Sequence, residues 1–128
     1  MSTIVYIVDD DAAFAEVVEI YFNSSQGFRA ISFTSPFAAL SRLISIPPDV
    51  LILDVMMPGM HGDELAEQAR DAGCHCPVII LTGLITPEES QRKHYRIGNR
   101  IVVGKPVPLG VLKALVQQSV GRNPANMM

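Results

Sequence analysis

Apolar residues recur along this chain in two patterns. Runs of three to five consecutive aliphatic or aromatic residues lie at 4–8, 50–53, 78–81 and 101–103, with the length and β-branched content of strands buried on both faces. Between them, apolar residues fall three and four apart, as on one side of a helix. The first run, Ile4-Val5-Tyr6-Ile7-Val8, stops at Asp9-Asp10-Asp11, and the stripe Phe14, Val17, Val18, Tyr21, Phe22 predicts a helix after that acidic turn. Beyond Gly27, residues 28–33 alternate enough, with Arg29 and Ser32, to suit an edge strand. Ser35 as N-cap and Pro36 at the first helical position open a second helix with the stripe Phe37, Leu40, Leu43, Ile44, which Pro47-Pro48 ends.

The third strand, Val50-Leu51-Ile52-Leu53, delivers Asp54 at its carboxyl tip. After Pro58-Gly59, a helix is predicted from about Gly62, with Leu65, Ala66 and Ala69 inward and Gly73 at its end. Val78-Ile79-Ile80-Leu81 runs into Thr82-Gly83, and Thr86-Pro87-Glu88-Glu89 has the composition of a capped helix start. This fourth helix offers Gln91, Arg92, Lys93, His94 and Arg96, with only Tyr95 and Ile97 as apolar anchors, so it is expected to be weakly held. A solvated face and a partner-facing one both fit it. Ile101-Val102-Val103 leads to Gly104-Lys105-Pro106, and the last helix begins at Pro108 with Leu112, Leu115, Val116 and Val120 on one side, widened by Val111. The expected division is one domain over 1–121, with 122–128 as a disordered tail or the start of a linker. Five strand-then-helix units predict an α/β fold, an open parallel sheet with helices on both faces.

Length and charge narrow the function. A chain of 128 residues, 48% hydrophobic and 18% charged, buries one core without needing disulfides or a structural metal. A net charge of −3 gives no general attraction to nucleic acid or anionic lipid. The first residues carry no basic segment, and their apolar run is too short for a signal peptide or a membrane span, so a cytoplasmic protein is expected. Cys74 and Cys76 flank His75, but fewer than four ligands cluster there, and loop thiols in a reducing compartment are the expectation.

In such sheets the functional crevice lies at the carboxyl ends of the strands. The residues that packing does not explain all fall there: Asp9 and Asp10, Asp54, Thr82 and Lys105. An aspartate after an apolar run can also be a simple loop or helix cap, but the rest of this set weighs against that for Asp54. Three converging carboxylates repel one another, so at least one should have a raised pKa unless a cation joins them. Oxygen-only donors suit Mg²⁺ or Mn²⁺. With a lysine and a threonine hydroxyl on neighbouring tips, the set describes phosphoryl transfer, with Asp54 as nucleophile.

The order Val8-Asp9-Asp10-Asp11, Leu53-Asp54-Val55-Met56-Met57-Pro58-Gly59-Met60-His61-Gly62, Thr82-Gly83 and Lys105-Pro106 resembles the receiver domain of two-component response regulators over residues 4–120. The resemblance implies a flavodoxin-like fold with strand order 2-1-3-4-5. It implies that Asp54 is the phosphoacceptor, that Asp10 binds the metal directly and Asp9 through water, and that Asp54 and the backbone carbonyl of Met56 complete the site. Thr82 would bond the phosphoryl group, Lys105 would pair with it, and the Lys105-Pro106 peptide would be cis. The implied phosphoryl donor is a histidine kinase or phosphotransfer protein. The implied readout is a downstream protein at the surface of the fourth helix, fifth strand and fifth helix, or a homodimer through that surface. The resemblance also points to Met56 and Leu84 as modulators of the lifetime of the phosphoryl group. Three residues depart from the family's habit: Val102 stands where a switch aromatic is common, Gly83 where alanine is usual, and Val107 where phenylalanine is frequent.

An alternative within the family is a receiver with an atypical switch, serving as a phosphoryl store or as an interaction module independent of phosphorylation. A flavin-binding flavodoxin would need a Ser-, Thr- and Gly-rich loop where Asp9-Asp10-Asp11 stand. A phosphatase using a phospho-aspartate would need an acid two residues after the nucleophile, where this chain has Met56.

Overall fold

The structure, a computed structural model, describes residues 2–83, 88, 96–97 and 100–122. Its strands are β1 (Thr3–Val8), β2 (Phe28–Phe33), β3 (Val50–Asp54), β4 (Val78–Thr82), β5 (Arg96–Ile97) and β6 (Arg100–Gly104). They form one sheet in the order β2-β1-β3-β4-β6-β5. β1 pairs in parallel with β2 and β3, β3 with β4, and β4 with β6. Leaving aside the two-residue β5, this is the expected flavodoxin-like order 2-1-3-4-5.

The described helices are α1 (Ala12–Asn23), α2 (Pro36–Ser45), α3 (Gly62–Asp71) and α4 (Leu109–Arg122). They cover both faces of the sheet, which is why the central strands read as unbroken apolar runs. On β3, Leu51 and Leu53 face one core with Ala39, Leu43, Leu65, Ala66 and Ala69 of α2 and α3. Val50 and Ile52 face the other, with Ala15, Val18, Phe22, Leu112 and Val116 of α1 and α4. Each fully buried Leu, Ile or Val here contributes about 1.5–3 kcal/mol relative to exposure.

Local signals act where the sequence places them. The Ser35 hydroxyl accepts from Ala38 N at 3.4 Å with Pro36 behind it, Gly73 ends α3 at φ 105, and Leu112 N donates to Pro108 O at 3.0 Å to open α4. β2 is an edge strand, as its polarity suggests, and the Asn23 side chain blocks part of that edge by bonding both Ala30 N and Ala30 O.

Three expectations need correction. Val17, Phe37, Ile44 and Val111 are 51%, 57%, 51% and 46% exposed, so they lie off the buried faces of their helices. Ala15 and Ala39 take the contact positions instead, and their small side chains let α1 and α2 lie close to the sheet. Arg96 and Ile97, expected at the end of a helix, form β5, antiparallel to β6 with Arg96 opposite Ile101. Finally, α4 extends through Arg122, one residue past the expected boundary. The rest of the helix expected between Thr86 and Arg96 lies outside the described residues, apart from Glu88.

Candidate functional site

The three aspartates after β1 have three different roles. Asp11 caps α1, its Oδ1 accepting from Phe14 N at 3.1 Å. Asp9 is 2% exposed and turns inward. One of its carboxylate oxygens accepts from Asp11 N at 2.9 Å, and the other from Lys105 Nζ at 3.1 Å. Asp10, between them, is exposed. The sequence shows only an acidic turn; where β1 stops and α1 starts decides which carboxylate is buried.

β3 carries Asp54 to the same place, since Val8 lies opposite Leu53 in the register. Oxygens of Asp9, Asp10 and Asp54 all come within 4.8 Å of one another. Lys105 Nζ reaches Asp54 Oδ1 at 3.3 Å as well as Asp9, and it stands 4.9 Å from the centre of the Phe14 ring. Thr82 is 4% exposed and lies opposite Gly104 in the register. Its carbonyl accepts from Lys105 N at 2.7 Å, so β4 and β6 fix the lysine's backbone beside the threonine. The Lys105-Pro106 peptide is cis, as the resemblance implies.

Burial holds the Asp54 carboxyl above its ordinary value of 3.8, and the Asp9 charge adds to this against the opposing pull of Lys105. The carboxyl is raised, as expected for converging carboxylates, but burial contributes more than their repulsion. Burial works against the Lys105 ammonium, but its hydrogen bond and charge interaction with Asp9, together with Asp54, outweigh this and raise it above 10.5.

The donor set fits a hard divalent cation. It consists of carboxylate oxygens at mutual distances that one ion can bridge, and Asp10 makes no ion pair with Lys105. Asp9, Asp10, Asp54, Thr82 and Lys105, picked out from the sequence, are therefore brought together. Met56 is 56% exposed. Val102 packs partly buried against the core on the α2–α3 face. Leu84 lies outside the described residues.

Two residues of the site carry weaker sequence signals. Phe14 looked like one more apolar helix position, yet its ring stands beside the lysine ammonium, a cation–π contact. Gly62 looked like a helix start. An added Cβ there would stand 2.2 Å from the backbone oxygen of Asp54, so α3 can lie against the acceptor's backbone only with glycine at this position. Gly62 N also donates to Val55 O at 2.9 Å, tying the helix start to the loop after the acceptor.

Comparison with known proteins agrees with this geometry. The family described as response regulator receiver domain matches residues 5–117. The DNA-binding transcriptional regulator NtrC of Escherichia coli is 32% identical over 117 residues, 91% of this chain and 24% of that protein. The transcriptional regulatory protein FixJ of Azorhizobium caulinodans is 30% identical over 122 residues, 93% of this chain and 56% of that protein. This chain thus spans from about a quarter to just over half of the length of these two relatives. Among solved structures, the receiver domain of the Francisella response regulator 1452 superposes with a TM-score of 0.79 at 24% identity, covering 94% of this chain and 98% of that one. The response regulator domain of Thermotoga maritima CheB gives 0.79 at 21% identity, with coverage of 97% and 100%.

Proposed function

This chain belongs to the response regulator receiver domain family, and from that premise we propose that it accepts a phosphoryl group on Asp54 and thereby changes its affinity for a partner protein. The observation that carries the proposal is the placement of Asp54 at the tip of β3, 3.3 Å from the Lys105 ammonium and within the 4.8 Å cluster of three carboxylates.

A carboxylate oxygen of Asp54 attacks phosphorus in line, the bond from phosphorus to the imidazole nitrogen of a phosphohistidine breaks, and the freed imidazole takes up a proton. Lys105 is positioned to meet the negative oxygens of the transferred group, and Thr82 to donate a hydroxyl to one of them. Asp9, Asp10 and Asp54 with the Met56 carbonyl would hold Mg²⁺ or Mn²⁺, which supplies positive charge against the phosphoryl oxygens when bound. The donor is a histidine kinase or phosphotransfer protein; the downstream target is a protein, met at the surface of the predicted fourth helix with β6 and α4.

Incubation with a small acyl-phosphate donor and Mg²⁺, followed by intact mass spectrometry, tests this. One phosphoryl mass should be gained by the wild type and none by Asp54→Ala. Equal labelling of both would overturn the assignment.

Val102 in place of an aromatic, packed partly buried against the core, favours a variant of this reading in which the domain holds its phosphoryl group as a store. Met56 has no group that could orient or deprotonate an attacking water, so the acyl phosphate should be lost slowly. Once donor is removed, Met56→Asn combined with Leu84→Glu should shorten the lifetime of the phosphoryl mass by about tenfold or more. An unchanged lifetime would show that these positions do not set it.

A further inference from the structure

At the opposite end of β4 from Thr82, the loop between α3 and β4 places Cys74 and Cys76 with their sulfurs 3.7 Å apart. Both are buried, 7% and 8% exposed. The loop is pinned on either side: Cys74 N donates to Ala69 O at 2.9 Å behind the positive-φ Gly73, and Leu51 N donates to Pro77 O at 3.0 Å. Beside the thiols is a small cleft with about 10 Å³ of space for a water-sized molecule, lined among others by Arg70, His75 and Arg100, the last of these paired with Glu67 at 2.9 Å. Both side chains pack into the core on the α2–α3 face, but filling a core does not require the two sulfurs to meet.

A metal is the first chemistry to consider for such a pair. Among the described residues, however, the clustering of three or more candidate ligands occurs only at Asp9, Asp10 and Asp54, so the two sulfurs lack the further ligands a zinc site needs. Oxidation requires only the two sulfurs. We propose that Cys74 and Cys76 form an oxidisable dithiol that reduces a hydroperoxide and closes to an intramolecular disulfide at the base of β4.

The chemistry balances with the hydroperoxide as sole co-reactant. The Cys74 thiolate attacks the terminal peroxide oxygen, the O–O bond breaks, and the departing alkoxide or hydroxide takes the proton that Cys74 gave up. This leaves a sulfenic acid on Cys74. The Cys76 sulfur then attacks the Cys74 sulfur; the S–O bond breaks as the S–S bond forms, and the Cys76 proton leaves with the hydroxide as water. Two thiols are oxidised by two electrons, one peroxide is reduced to an alcohol, or to water from hydrogen peroxide, and the sulfenic oxygen leaves as one water.

The roles are unequal for a physical reason. The contact between the two sulfurs, in which either can donate, favours a thiolate on Cys74 and holds it below its ordinary value in spite of burial. That same contact, together with burial, pushes Cys76 strongly upward. Cys74 is therefore the more readily ionised of the two, and Cys76 keeps the proton that the second step releases. Closure shortens the sulfur separation from 3.7 Å to about 2.05 Å, so the movement required is small.

The test uses the full chain, reduced and then freed of reductant, treated with one equivalent of hydrogen peroxide. Intact mass should fall by about two units, the loss of two hydrogens, with both thiols lost to alkylation together and regained on reduction. Cys76→Ser should stop at a sulfenic acid that dimedone traps, and Cys74→Ser should react at least about tenfold more slowly than wild type. Three results would overturn the proposal: wild-type oxidation that stops at sulfenic or sulfinic acid, oxidation that yields a disulfide between two chains, or a Cys74→Ser rate equal to wild type. The wild-type mass and thiol count decide the matter even where a serine variant folds poorly.

Discussion

At Asp54, burial and the charge of Asp9 oppose ionisation, while Lys105 favours it, and the balance leaves the carboxyl above 3.8. Because the folded protein holds this proton more tightly than the unfolded chain, the folded state loses stability relative to the unfolded as pH rises from 3.8 through the folded value. Above that value the penalty stays in full. Asn at this position removes the ionisation and keeps the shape. In chelator, Asp54→Asn should therefore unfold at a higher urea concentration than wild type at pH 7, with the gap narrowing toward pH 4. A gap that is constant or reversed would mean that Lys105 outweighs burial. The five chemical residues of the site were legible because nothing in strand packing accounts for polar groups at strand tips. The separate roles of Asp9, Asp10 and Asp11 were not, since three neighbouring carboxylates look alike until the last pair of β1 and the first turn of α1 assign one inward, one outward and one to a helix cap.

Among the elements, the strands were read closely because each is buried on both faces and leaves an unbroken apolar run. Helix faces were read less well. The pattern gives weight to large apolar residues, whereas α1 and α2 approach the sheet through Ala15 and Ala39 and leave Val17, Phe37 and Ile44 outside. β5 is not legible because two residues make no period against the helix-like composition of the residues before them. The start of α3 shows how an element fixes the site. With an added Cβ at Gly62 only 2.2 Å from Asp54 O, either the helix or the acceptor strand must shift. Gly62→Ala should lower stability by about 1–3 kcal/mol, as forced overpacking does, and slow labelling of Asp54 by a small phosphoryl donor. Gly110→Ala is the control: its Cβ meets nothing within 4 Å, and the helix should gain up to about 1 kcal/mol. Denaturation and labelling measured together would reject the argument if both variants behaved alike.

Across the whole molecule, one mainly parallel sheet keeps two side-chain clusters apart. Carboxylates and Lys105 gather at the carboxyl ends of the strands, and the cysteine pair lies at the opposite end of β4. The first of these is electrostatically incomplete as it stands: Lys105 offsets Asp9 and Asp54, and the remaining negative charge, Asp10 included, has no cation within the cluster among the described residues. A ligand that binds the folded protein alone stabilises it by mass action, about 2.7 kcal/mol at a hundredfold excess over its dissociation constant. For a domain of this size each kcal/mol moves the unfolding temperature by about 4 °C, so saturating Mg²⁺ should raise it by about 10 °C. Screening by salt alone acts on all exposed charges weakly and without saturation at one site. The expected pattern is a rise that depends on Mg²⁺ concentration, is not reproduced by NaCl at matched ionic strength, and is largely lost in Asp10→Ala, where the exposed ligand is gone and the buried Asp9–Lys105 pair is left in place. Equal shifts in wild type and Asp10→Ala would place the cation elsewhere, and equal shifts with NaCl would leave the cluster as a site of repulsion that ordinary screening relieves.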